Sequence, residues 1–216
     1  HITDEFFPPI TDHSYNGAQD GDGFIITNYR ADRVRELITS IFDKKFDEFK
    51  KKKHINFFLP ISMVEYSKRL KKIVTPLLES IEVKNSLGEV LSINKLKQLR
   101  IAETEKYAHV TYFFNGGIEE PFCGEDRVLI PSPRVDTYDK KPEMAALKVT
   151  SELVERITKN NYEFILTNFA NTDMVGHTGN LLATVKAVEI LDKCLGNIYN
   201  SCKKNGYTLI VTSDHG

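Results

Sequence analysis

Cysteine is sparse, net charge is almost nil and long apolar runs are missing, and each shortage removes a class of protein. Three cysteines, Cys123, Cys194 and Cys202, stand in 216 residues. The last two fall eight residues apart on one expected helix, about 12 Å of rise, too far for a disulfide. An odd, low count fits a reducing compartment and a cytoplasmic protein. Lys and Arg number 29 against 30 Asp and Glu, a net charge of −1, which argues against nucleic-acid binding by bulk charge. No apolar run reaches membrane-spanning length. No signal peptide is visible, and the chain opens at His1 without Met. No internal repeat is evident.

What is present is organised around one stretch. Phe164-Ile165-Leu166-Thr167 is a short apolar run that reads as a buried strand. It breaks into a polar loop with Asp173, Gly176, His177 and Gly179. A long amphipathic helix is expected from about Asn180 to Lys203. A second strand, Tyr207 to Thr212, then leads to Asp214 and His215. Two strands would thus each deliver an Asp and a His at a C-terminal end, the edge where open α/β sheets bind ligands. Asp oxygen with His nitrogen suits divalent ions such as zinc or manganese. Alone, Asp-x-x-x-His is also the pattern of a loop cap beside a surface histidine. The pairing across one crossover helix raises the chemical reading, two metals clamping a phosphoryl group. Gly176 and Gly179 are expected to allow close backbone approach.

The rest of the chain alternates. A surface segment to about residue 22 precedes a short β-rich run, Gly23 to Asn28. Helical spacing follows over Ala31 to Phe42, with Val34, Leu37, Ile38 and Ile41 on one face. Arg30 and Arg33 stand at that junction, two guanidinium forks suited to phosphate or carboxylate; pairing with Asp32 and Glu36 at the surface is the plain alternative. Lys50 to Lys53 reads as a solvated loop. Strands are expected within Ile55 to Val64 and Ile73 to Leu78, and Glu79 to Gly88 is the best linker candidate. Further on, Leu87 to Leu96 has helical spacing, Gln98 to Ala102 and Arg127 to Ile130 read as strands, and Glu143 to Lys159 as a helix. Thr104 to Gly117 fits strand and helix alike. His109, Arg134 and Asp136 are minor site candidates. Strands separated by helices of ten or more residues argue for an α/β fold with a largely parallel sheet.

Five blocks then occur in order: Asn28-Tyr29-Arg30-Ala31-Asp32-Arg33, Ala102-Glu103-Thr104-Glu105-Lys106-Tyr107, Phe113-Phe114-Asn115-Gly116-Gly117, Asp173-Met174-Val175-Gly176-His177-Thr178-Gly179 and Ser213-Asp214-His215-Gly216. Together they resemble the cofactor-independent (2,3-bisphosphoglycerate-independent) phosphoglycerate mutases of the alkaline phosphatase superfamily. The resemblance implies residues 1–80 as the C-terminal part of an inserted phosphotransferase domain, 81–90 as linker, and 91–216 as part of a phosphatase-like domain with a mostly parallel sheet and flanking helices. It implies that Arg30 and Arg33 hold phosphoglycerate and that Lys106 lies beside a phosphorylated serine. Asp173 and His177 would ligate one metal ion, Asp214 and His215 the other. Manganese is the expected metal, with magnesium or cobalt as substitutes, and 2,3-bisphosphoglycerate is not required. It favours helix for Tyr107 to Phe114. The complete protein is expected to be a monomer acting on a small molecule, away from nucleic acid and membrane. The family's serine nucleophile, its first metal-binding Asp and its remaining His ligand have no match here, so the chain alone is expected to be inactive and to bind metal weakly. Phosphopentomutases, phosphatases and sulfatases share the Asp/His frame. Arg30-x-x-Arg33 ahead of Lys106 favours the mutase, and a metal-binding fragment without catalysis is the reading from another class.

Overall fold

The structure is a computed structural model that describes Pro8 and residues 10–79, 83–213 and 215. It divides into two compact units near residue 82.

The first unit holds a three-stranded parallel sheet in the order β1-β2-β3. The strands are β1 (Phe24–Ile26), β2 (Pro60–Ser62) and β3 (Thr75–Pro76), with α1 (Asp32–Phe42) following β1. The strands expected over Ile55 to Val64 and Ile73 to Leu78 are thus reduced to three and two residues. Both contain proline, which has no N–H to donate to a ladder and so stands at a strand's first residue or edge. Pairing persists beyond β3 through Leu77 N–H to Ser62 O at 2.8 Å and Leu78 N–H to Met63 O at 3.0 Å. Val34 and Ile38 of α1 are buried against Tyr66, Leu70 and Val74. Leu37, expected on the same face, is half exposed at 49%. Phe24 meets Phe42 and Phe57 edge-on at 5.0 and 5.3 Å, and Phe42 in turn packs on this small core.

The second unit is built on β4 (Gln98–Glu103), paired in parallel with β5 (Glu125–Ile130) on one side and β6 (Phe164–Asn168) on the other. An all-parallel sheet is covered on both faces, and all six residues of its central strand β4 are buried. Leu99 and Ile101 point to one face, under α4 (Ala146–Lys159) and α6 (Leu181–Asn205), where Val149, Leu153, Ile157, Ile198 and Cys202 complete the core. Alternation sends Gln98 and Arg100 to the other face. There the Arg100 guanidinium lies over the rings of Phe114 and Phe164, at 4.8 and 5.2 Å. Burial lowers its pKa to about 10, with Glu125 opposing the shift and Arg127 adding to it; the group stays charged at neutral pH. α2 (Leu87–Ile93) opens this unit with Ser86 Oγ accepting from Glu89 N–H at its N-cap, so helix begins inside the stretch read as linker.

Three local outcomes follow from hydrogen bonding. Thr104 to Gly117 takes the helical alternative: a 3₁₀ turn at Thr104–Lys106, α3 (Tyr107–Val110), then further turns. Thr111 Oγ1 donates to Tyr107 O, and Asn115 N–H to Thr111 O, so the backbone is satisfied locally. Gly116 turns there at φ +67°, where a Cβ would come within 2.7 Å of Val83. The loop expected after β6 is instead α5 (Asn171–Gly176). Residues 207–212 pair with no strand among those described, against the expectation of a second sheet strand. Tyr207 and Leu209 pack on the core, whereas Ile210 and Val211 are 83% and 62% exposed. The extended run has side chains suited to a sheet but no ladder to join. α6 is well delimited, with Asn180 Oδ1 accepting from Ala183 N–H and Gly206 closing it at φ +75°.

The fully enclosed side chain of Leu153 (2% exposed) sets an energetic test. Leu153→Ala should lower unfolding free energy by about 2–5 kcal/mol through lost burial and a residual cavity. Leu147→Ala on the same helix, at a residue 60% exposed, should change it by less than about 0.5 kcal/mol. Urea unfolding followed by far-UV circular dichroism measures both.

Candidate metal and phosphoryl-transfer site

β4 and β6 run in the same direction, so both hand their chains over at one edge of the sheet. β4 ends at Glu103, and the Thr104–Lys106 turn immediately presents Lys106. β6 ends at Asn168, and α5 presents Asp173 with His177 just past its end. The four-residue spacing that seemed to need a folded loop is one helical turn, which puts both residues on the same face. α5 is held by Asn171, fully buried, whose Nδ2 donates to Ala187 O at 2.9 Å and to Pro142 O at 3.4 Å. Met174 and Val175 are buried beneath it.

Asp173 is the hub. Lys106 Nζ forms a close ion pair with its Oδ2, and both side chains are mostly enclosed, at 11% and 18% exposure. His177 Nε2 stands 3.3 Å from Oδ1 and His215 Nε2 3.5 Å from the same atom. Burial alone would raise the pKa of the Asp173 carboxyl. The Lys106 hydrogen bond and charge, with His177 and His215, outweigh it, and the group is held below the ordinary aspartate value. An anionic carboxylate and two imidazoles form a donor set for a divalent ion. Two donors bound to one ion at about 2.0–2.2 Å with tetrahedral angles lie roughly 3.4 Å apart, close to the separations here. The described residues do not, however, place three such side chains around a common ion position. Each imidazole meets the carboxylate, and Lys106 takes its second oxygen.

The remaining expectations fall out unevenly. Asp214 and Gly216 lie outside the described residues. Arg30 and Arg33 belong to the first unit, one just before α1 and one in its first turn, both exposed. A Cβ at Gly176 would meet nothing within 4 Å, so close approach is not its reason; Gly179 earns its place through a turn at φ +71°. His109 packs edge-on against Phe113. Asp136 pairs with Lys140 at the surface, and Arg134 is exposed.

Sequence reading did not single out Glu103. It is the last residue of β4, wholly buried, and its Oε2 accepts from Ser132 Oγ at 2.9 Å and Ala145 N–H at 3.3 Å. Ser132 also ties to the next turn, accepting from Glu105 N–H at its Oγ and donating its own N–H to Thr104 Oγ1. Glu103 therefore braces the turn that carries Lys106. A buried carboxylate at the end of a central strand gives no periodic signal.

Comparison with known proteins now bears on this edge. Residues 35–216 match the metalloenzyme superfamily, and residues 1–68 match the BPG-independent PGAM N-terminus. The chain belongs to the metalloenzyme superfamily. Within that superfamily it is 47% identical over 215 residues to the 2,3-bisphosphoglycerate-independent phosphoglycerate mutase of Legionella pneumophila, an alignment covering 100% of this chain and 41% of that protein. The mutase of the same description from Gracilaria tenuistipitata is 48% identical over 217 residues, covering 100% and 42%. The chain thus spans about two fifths of the length of the relatives it matches. The crystal structure of Leishmania mexicana phosphoglycerate mutase at low cobalt concentration superposes with a TM-score of 0.74 at 28% identity, over 94% of this chain and 36% of that one. The resemblance read from the five blocks and the α/β fold with parallel sheets are both borne out, as is membership of a metal-using superfamily. No helix among the described residues is long and apolar enough to cross a membrane.

Glu103 supplies a pH test. Its pKa is raised, first by burial and slightly by Glu105, against the Ser132 and Ala145 hydrogen bonds. A carboxyl with a raised folded-state pKa favours folding at low pH and loses that advantage as pH climbs from the unfolded value, about 4.3, through the folded one. Glu103→Gln keeps an acceptor for Ser132 without the ionisation. The variant should therefore gain stability relative to the native protein between acid and neutral pH, and lose that gain below about pH 4. Chemical unfolding at pH 4 and pH 7 provides the comparison.

Proposed function

We propose that the protein carrying this chain interconverts 3-phosphoglycerate and 2-phosphoglycerate, a step of glycolysis and gluconeogenesis, through a phosphoserine intermediate and without 2,3-bisphosphoglycerate. The observation that carries the reading is the convergence of Lys106, His177 and His215 on Asp173 at one sheet edge, in a chain close to such mutases over its whole length. In this reading residues 1–80 form part of a phosphotransferase domain, 81–90 a linker, and 91–216 part of the metal-binding domain.

Asp173 and His177 would hold one divalent ion, with Asp214 and His215 on the other, and manganese suits this mix of oxygen and nitrogen donors. Bound metal would neutralise phosphoryl charge and lower the pKa of an attacking hydroxyl. Lys106, held against the carboxylate, would supply a cation for the phosphoryl oxygens and a proton donor at Nζ. Arg30 and Arg33 would clamp the acidic groups of phosphoglycerate with paired N–H donors. A small anionic substrate, a single polypeptide and a cytoplasmic setting complete the proposal.

Asp173→Asn keeps size and removes the charge that both the metal and Lys106 need. Mutase activity of the full-length protein at saturating manganese should fall by at least about a hundredfold, with the circular dichroism spectrum unchanged; activity near the native level would remove Asp173 from the site. Arg33→Ala should lower kcat/KM roughly thirtyfold or more, the loss expected when a charged partner goes unpaired at about 2–5 kcal/mol. Arg33→Lys should recover only part, because an ammonium cannot make the planar fork. Unchanged kinetics in Arg33→Ala would return both arginines to the surface reading.

A further inference from the structure

We propose that Tyr66 is the positioning residue that sets Arg30 and Arg33 as a pair, an inference that rests on their substrate role given above. The two arginines stand on different pieces of backbone. Arg33 is in the first turn of α1, and Arg30 is in the irregular segment between β1 and α1. That segment has left the ladder: among the described backbone bonds, the one that ends the pairing of β1 with β2 is Met63 N–H to Ile26 O at 3.3 Å. An irregular, exposed turn has no intrinsic reason to keep one geometry relative to the helix after it.

Tyr66 supplies that reason from both sides. Its ring, 2% exposed, packs in the core with Val34 and Ile38, the buried residues of the helix that carries Arg33. Its hydroxyl donates a short hydrogen bond to Asn28 O, the carbonyl two residues before Arg30. Asn28 passes the constraint on, since its Oδ1 accepts the Arg30 N–H at 2.8 Å, a turn closed by an asparagine side chain. Tyr66 is itself fixed by α1, where Arg35 Nε donates to Tyr66 O at 2.6 Å. A closed circuit results, from α1 through Arg35 and Tyr66 to Asn28, Arg30 and back to α1. One side chain thereby ties the roots of both guanidinium groups to a common core. A fork aimed at phosphate or carboxylate tolerates little displacement, because a shift of about 1 Å can cost on the order of a hundredfold in rate.

The circuit breaks cleanly at the phenol. Tyr66→Phe keeps the ring in its core and removes only the hydroxyl; Asn28 is exposed, so its carbonyl can turn to water. Val74→Ala loosens the same core without touching the hydrogen-bonded path. Hydrogen exchange by mass spectrometry reads the turn, and calorimetric titration with 3-phosphoglycerate reads the arginine pair, on the native full-length protein and on Tyr66→Phe, Val74→Ala and Arg33→Ala. Tyr66→Phe should speed exchange at residues 28–31 and weaken 3-phosphoglycerate binding roughly fivefold to tenfold, the scale of one lost hydrogen bond. Val74→Ala should lower Tm and leave that affinity within about twofold. Unchanged exchange at 28–31 in Tyr66→Phe overturns the proposal. So does unchanged affinity in Tyr66→Phe while Arg33→Ala loses binding, or an equal loss of affinity in Val74→Ala. Binding that survives Arg33→Ala instead removes the substrate reading beneath the proposal, and the exchange data separate that failure from one of the turn itself.

Discussion

β4 is paired in parallel on both edges and buried on both faces, and the second unit follows from satisfying it. Parallel pairing requires crossovers, and the crossovers supply α4 together with the turns after β4 and β5. Burial on one face needs Leu99 and Ile101 under two helices. On the other face a buried cation, Arg100, lies against a stacked pair of phenylalanine rings, Phe114 and Phe164. The same parallel sense brings the strand ends to one edge, which is why Lys106 and Asp173, 67 residues apart in the numbering, form an ion pair.

How much of this could be read beforehand depended on the kind of signal. Apolar runs and helical spacing gave β4, β6, α1, α4 and α6 to within a few residues, because burial leaves a period in the sequence. The strands of the first unit were overdrawn, since hydropathy does not register the missing N–H of Pro60 and Pro76. Tyr207 to Thr212 looks like a strand by composition and lacks a ladder, a property of its neighbours and not of its own residues. Asp173 and His177 were recognised as a pair, but the helix that aligns them was missed; six residues are too few to show a period.

The polar residues that brace the site were the least legible. Glu103 and Asn171 act through a single geometry, one buried acceptor and one buried amide, and nothing in the order of residues announces that. The charged residues were visible because their chemistry is conspicuous anywhere. Arg30 and Arg33 could be named without knowing what holds them, and Tyr66 could not be named at all. Sequence reading finds groups whose chemistry could meet a ligand; the groups that hold those groups emerge only from coordinates.

The pairing of β4 also fixes an order of events during synthesis. Its partner residue for Gln98 in β6 is Phe164, 66 positions later, and α6, which roofs the same face, begins only at Leu181. At roughly 5–20 residues per second on the ribosome, Leu99 and Ile101 emerge about 3–13 s before the strand that completes their sheet. Through that interval the edge of β4 that β6 will cover is open to any other nascent strand, even after β5 has paired the opposite edge. The arrangement that brings the strand ends to one edge therefore leaves the growing chain with an open strand edge at its centre, and slower translation of the segment between β5 and β6 would lengthen the exposure.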